Sequence, residues 1–136
     1  MKVELAIDQK SVSHIIGNLQ RKAELVRGAA KQAVDNTTEK VFQQAQELVP
    51  VMTGALKDSG KTSSVGTPDN PTGVISYGDD TIGHKGRPTS SYAIARHEMH
   101  SKLHPEAYKW LERTLLASDE DFREEALRLL SQAIQG

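Results

Sequence analysis

Cysteine is absent from the 136 residues, which removes disulfides, thiolate zinc sites and cysteine nucleophiles together. Aromatics are scarce, with one Trp, three Tyr and two Phe. A core with so few rings must rest on Leu, Ile, Val and Ala, and small protomers with thin cores commonly gain stability by associating. No run approaches ~18 consecutive apolar residues, so no membrane span is expected. The opening MKVELAIDQK has neither a long apolar stretch nor a small-residue cleavage site, so no signal peptide is expected. Neither sign of charge dominates. The 17 Lys and Arg face 18 Asp and Glu for a net charge of −1, whereas a general nucleic-acid binder carries a strong positive excess. What is present is enough chain for a single domain over 1–136, with a composition compatible with the cytosol.

Residues 2–8 alternate Val3, Leu5 and Ile7 with Lys2, Glu4 and Ala6, the period of a half-buried strand. Ser11 or Ser13 then offers an N-cap. From Val12 to Val49 the positions Val12, Ile16, Leu19, Ala23, Val26, Ala30, Ala33, Thr37, Val41, Ala45 and Leu48 form one stripe with steps of three and four. That spacing predicts a long helix over 12–49 with a core-facing side, or a coiled-coil seam between subunits. Gly17 and Gly28 weaken it by ~1 kcal/mol each relative to Ala, which allows a kink. Pro50 ends it. A polar segment with Leu56 and Val65, a Pro68-Asp69-Asn70-Pro71 turn and the β-branched Thr72–Tyr77 run predict an antiparallel hairpin over 56–78 with one wet face.

Residues 78–91, GDDTIGHKGRPTSS, read as a mobile loop, too polar to pack and too long for a simple turn. Tyr92–Glu98 alternates again and predicts a strand over 92–98 that closes the sheet. Pro105 suits the first turn of a helix, and Ser118 with Asp121 resembles a capping box. Helices over 105–135 follow, with Phe122, Ala126, Leu129, Leu130, Ala133 and Ile134 on the buried side of the last. The expectation is an α+β domain: an antiparallel sheet of about four strands packed against a long N-terminal helix and one or two C-terminal helices.

The histidines are the first place to look for chemistry. His97, His100 and His104 fall within eight residues beside Glu98. A helical metallohydrolase motif needs imidazoles four apart on one face, but His97 plus four is Ser101, and His104 precedes Pro105. Zinc held from irregular backbone would need Glu98 or His84 as a further ligand. No G-x-S-x-G elbow accompanies the serines, and no Walker lysine spacing the glycines. Asp79-Asp80 could bind a hard cation, but adjacent carboxylates on a flexible loop are usually just solvated. The residues therefore point to no catalytic centre, no cofactor and, beyond the weak histidine candidates, no metal.

Charge placement carries more. From Lys85 to Arg113 the basic residues Lys85, Arg87, Arg96, Lys102, Lys109 and Arg113 outnumber Glu98, Glu106 and Glu112. Asp119, Glu120, Asp121, Glu124 and Glu125 then oppose only Arg123. Two ordinary solvated surfaces would look like this. So would a charged head-to-tail interface between copies, and heterologous contacts of that kind can close a ring.

The junction Val49-Pro50-Val51-Met52-Thr53-Gly54-Ala55-Leu56-Lys57-Asp58-Ser59 resembles the "A-P-V-D-T-G-x-L-R-D-S" segment of tailed-bacteriophage head–tail joining proteins. That family comprises neck and tail-completion proteins, also labelled minor capsid or minor tail components. Tyr92-Ala93-Ile94-Ala95-Arg96-His97-Glu98 resembles its "Y-A-x-x-x-H/E-E" segment, and Pro105 to Leu116, with Lys109-Trp110-Leu111-Glu112, its "K-F/W-L-E-x-A-L" helix. The three occur in the right order. The junction also makes sense physically: Pro50 stops the helix, Thr53 can bond nearby backbone groups, Gly54 supplies a positive φ, and Leu56 is the first inward residue of the next strand. Met52 replaces the family's usual Asp. Gly60 replaces an apolar strand residue and predicts a strand that bends or starts later.

The resemblance implies a non-enzymatic virion structural protein, assembled in the host cytoplasm. It would form a homo-oligomeric ring that joins head to tail and contacts other neck, portal-adaptor or tail proteins. DNA would pass through the channel without sequence-specific binding. Gly78, Asp79, Asp80, Gly83, His84, Lys85, Gly86 and Arg87 would form the docking loop. A tail terminator or minor capsid protein of the same apparatus is the alternative, and a small His-dependent metalloenzyme or nuclease a more distant one.

Overall fold

The computed structural model describes residue 2 and residues 9–135. The strand expected over 2–8 lies outside the described residues. Helix α1, Gln9–Leu48, runs 40 residues, about 60 Å at 1.5 Å per residue. It begins three residues earlier than the Ser-based caps suggest and passes through Gly17 and Gly28 without interruption. It stops before Pro50, as expected.

After a turn, the short helix α2 occupies Ala55–Asp58. Strands β1, Lys61–Thr67, and β2, Asn70–Ser76, then pair antiparallel, from Lys61 opposite Ser76 to Thr67 opposite Asn70. The turn is Pro68–Asp69. β1 starts after Gly60, as that residue suggests. It is exposed along its whole length, whereas β2 alternates and turns Pro71, Gly73 and Ile75 toward the protein. Gly73 sits directly on α1: a Cβ there would lie 1.8 Å from Thr38 Oγ1. The hairpin can approach the helix this closely only because that position carries no side chain.

The sheet has two strands, not about four, among the described residues. The decisive difference is Ala93–Glu98, which is helix α3 rather than a closing strand. A seven-residue alternation also places Ala93 and His97 four apart on one helical face. Ala93 is buried, and His97 lies edge-on to Trp110 with centroids 4.8 Å apart. Ala, Arg and Glu also favour helix over strand.

Pro105 does open a helical turn, but only a 3₁₀ turn over Pro105–Ala107. The chain breaks at Lys109 (φ 49°) before helix α4, Trp110–Ala117. Helix α5, Asp119–Gln135, follows at once. The capping box does not form, because the Ser118 hydroxyl donates back to the Leu115 carbonyl at 2.6 Å. With α3, the carboxyl-terminal part of the chain holds three helices instead of one or two.

Two small cores lie along α1. At its carboxyl end Ala45 and Val49 meet Leu56, Ala93 and Trp110, with Leu48, Tyr77, Tyr92 and Leu111 around them. Farther up, Ala29 and Ala33 meet Leu129, flanked by Phe122, Ala126, Leu130 and Ala133. α5 runs back along α1 until Lys22 Nζ donates to the Ile134 carbonyl at 2.8 Å. The predicted stripe is therefore covered only in part. Val26 and the positions after it pack, whereas Val12, Ile16, Leu19 and Ala23 are exposed.

The accessible surface is 9663 Å². A compact monomer of 14.9 kDa would expose ~7,000 Å². The chain is a rod with cover on part of its length.

Candidate functional site

The turn that follows α1 is built as its residues dictate. Gly54 adopts φ 86°, a value that costs glycine nothing. The Ala55 N–H donates to Thr53 Oγ1 at 3.3 Å. Leu56 is buried, but as part of α2, so it is not the first residue of a strand. Ser59 is buried as well; its hydroxyl donates to the Leu56 carbonyl at 2.6 Å and accepts the Gly78 N–H at 2.9 Å. That pair of bonds ties the turn to the start of the 78–91 segment.

The 78–91 segment folds back on itself. Ile82 bridges Pro88 antiparallel, and 3₁₀ turns form over His84–Gly86 and Thr89–Ser91. Thr89 is fully buried, and its N–H donates to the Thr81 carbonyl at 2.8 Å. Asp79 accepts the Thr81 N–H at 2.8 Å and pairs with Lys61 at 3.0 Å. Bonds from the Thr81 hydroxyl and N–H, with Lys61 and Thr89 adding, hold the Asp79 carboxyl well below the usual carboxylate range. Asp80 is exposed, as are Lys85, Gly86 and Arg87, whereas Gly83 and His84 are half-buried against Tyr92. A segment read as mobile from composition is thus cross-linked by its own polar groups.

These pieces meet in one cleft. Pro50, Met52, Thr53 and Gly54 line it from the turn, Leu56 from α2, His84 from the loop, Tyr92 from just before α3, Arg96 from α3, and Ala107 from the 3₁₀ turn before α4. Its volume is about 110 Å³, too small for most ligands. Three apolar residues of its lining are exposed, Met52, Met99 and Leu103, the last by 86%. Nothing in the sequence marks Met99 and Leu103 as a pair with the turn, because Met99 comes 43 positions after Leu56. Only the return of the chain through α3 brings them there.

The histidines do not converge. His97 Nδ1 lies 3.0 Å from Glu98 Oε1, and its Nε2 accepts the Glu112 N–H at 3.3 Å. His100 stacks on Tyr108 at 3.7 Å, and His104 lies 3.4 Å from Glu106. Among the described residues, no group of three or more His, Asp or Glu is placed to hold a metal ion. His97 instead belongs to a clasp between α3 and α4. Lys109 N–H donates to the His97 carbonyl at 2.7 Å, and Lys109 Nζ reaches Glu98 at 3.3 Å and Glu112 at 3.2 Å.

The charged residues divide in the same way. Lys109 is consumed in that clasp, and Arg113 donates to the carbonyls of Glu106 and Tyr108. Asp119 pairs with Arg123, Asp121 with Lys40 of α1, and Glu125 with Arg128 and Asn36. Glu120, Glu124 and Lys102 are exposed, and Arg96 is half-buried at the cleft. Much of the charge that sequence alone offered to an interface is spent inside the subunit.

No family model matches this chain, and no curated protein or solved structure matches it significantly. No helix among the described residues is long and apolar enough to cross a membrane.

Proposed function

We propose that this chain is a virion structural subunit of a tailed bacteriophage, a neck or tail-completion component of a ring that joins head to tail around the DNA channel. One observation carries the reading. The three segments that resemble the head–tail joining family, far apart in sequence, all contribute to one cleft through Pro50–Leu56, Tyr92 and Arg96, and Ala107. The apolar rim of that cleft is a docking surface for a neighbouring ring protein. His84 is the loop's part of the cleft.

The general shape supports the same reading. The surface in excess of a compact monomer is ~2,700 Å², and a standard contact takes ~800 Å² from each partner. A subunit with two ring neighbours and one axial partner uses area of that order. DNA passes such a ring without base readout, which suits a net charge of −1.

The test is loss of the chain from the producing phage. Filled heads and separate tails should accumulate, and supplying the protein in trans should restore joined particles. Normal joined virions in its absence would overturn the proposal. Metal analysis separates the distant enzymatic alternative, which requires stoichiometric zinc in the purified protein.

A further inference from the structure

The exposed start of α1 and the groove between α1, β2 and α4 are complementary surfaces at separate places along one rod. The start, residues 9–21, projects beyond the end of α5 and shows Val12, Ile15, Ile16 and Leu19 to solvent, Leu19 by 63%. Its only formal charges are basic, Lys10 and Arg21, with Lys22 next to them. The groove is lined by Val41, Ile75, Leu115, Leu116 and Phe122, and Asp119 stands at its edge. Its volume is about 690 Å³, and Leu116 is 70% exposed. Beyond Asp119 runs the acidic first half of α5, with Glu120 and Glu124 exposed.

We infer that the apolar, basic start of α1 docks in the α1–β2–α4 groove of a second copy of this chain. The contact cannot form within one chain. Ile16 and Thr38 are ~33 Å apart along a continuous helix at 1.5 Å per residue. Like-with-like pairing is disfavoured by charge: two arms would bring Lys10, Arg21 and Lys22 together, and two grooves would oppose the exposed Glu120 and Glu124. Pairing unlike surfaces joins apolar to apolar and basic to acidic. Each copy then offers one arm and accepts one, the arrangement that closes rings. This inference rests on the proposed assembly role and supplies its lateral contact.

The absence of cysteine gives a clean test. Chains carrying Ile16→Cys and chains carrying Leu116→Cys are mixed and oxidised or treated with a short bismaleimide. Covalent pairs are expected in the mixture, and a chain carrying both substitutions should give a ladder. Lys10→Glu with Arg21→Glu should suppress the product at least tenfold, and Glu120→Lys with Glu124→Lys in the partner should restore it. Ile16→Cys coupling to itself in preference to Leu116→Cys would show arm-to-arm pairing and overturn the inference. An oligomer without the mixed product would overturn this contact while leaving the assembly role standing. A monomer at every concentration would overturn the contact, and loss of joined particles then tests the role separately.

Discussion

Thr89 Oγ1 accepts the Asp79 N–H at 2.8 Å and donates to the Asp79 carbonyl at 3.2 Å, closing the 78–91 segment with one buried hydroxyl. Composition pointed to mobility there, and these bonds oppose it. Thr89→Val keeps the volume but leaves the Asp79 N–H without its acceptor, a loss of ~1–3 kcal/mol. Limited proteolysis between Thr81 and Arg87 should accelerate in this variant, and Thr89→Ser should restore most of the protection. The same segment sets an acid limit. Because the folded Asp79 carboxyl titrates below its unfolded value of about 3.9, its ionised form stabilises the fold above about pH 4. That contribution is lost as pH falls toward the folded value, and Asp79→Asn should flatten the acid side of a melting-temperature profile.

Tyr77 governs the alkaline side. Its hydroxyl donates to Gln46 Oε1 at 2.8 Å, and its ring meets Trp110 edge-on at 5.6 Å. Burial pushes its phenol up to about 12. The folded state therefore holds this proton more tightly than the unfolded chain, and stability falls as pH rises from about 10 toward about 12. Tyr77→Phe should cost ~1 kcal/mol at neutral pH through the lost hydrogen bond. Its alkaline decline should be shallower than that of the parent in matched denaturation series.

The close approach of Gly73 to α1 gives another expectation. Thr38 Oγ1 is fixed by donation to the Val34 carbonyl at 2.7 Å, directly opposite Gly73. Gly73→Ala must push β2 away from α1 and should destabilise by ~1–3 kcal/mol. Thr38→Ala in the same chain should recover part of the loss, which a double-mutant cycle measures.

The apolar end surface predicts a separation of folding from assembly. Met52 and Leu103 are exposed, so Met52→Asp and Leu103→Asp should leave the melting temperature within about 2 °C of the parent. Incorporation into joined particles should nevertheless fall. Deleting Thr81 to Arg87 is a poorer probe, because it also removes the Thr81 carbonyl that holds Thr89.

Local rules of sequence carried much of this fold. The end of α1 at Pro50, the positive φ of Gly54, the Thr53 bond, the hairpin and the late start of β1 after Gly60 are all short-range consequences of residue type. Ala93–Glu98 shows where such rules stop. Six residues suit either period, and burial against Trp110, fixed by the later course of the chain, selects helix. The α1 stripe fails differently. Its period is uniform from Val12 to Leu48, but α5 is only long enough to cover the portion back to Lys22. The cleft was legible residue by residue at Pro50, Thr53 and Gly54, and illegible as a surface. Met99 and Leu103 enter it only through the path of α3. The histidine cluster was close in sequence and dispersed in space, because Trp110, Tyr108 and Glu106 each hold one ring.

The proposed role requires this rod-like chain to be a subunit of a closed assembly. Native mass measurement of the purified full chain across a wide concentration range tests it most directly. One discrete oligomer is expected, more populated as concentration rises, with dissociation when salt is raised or when Leu19→Asp is introduced with helicity unchanged. A single monomeric mass at every concentration, at low salt as well as high, would contradict it.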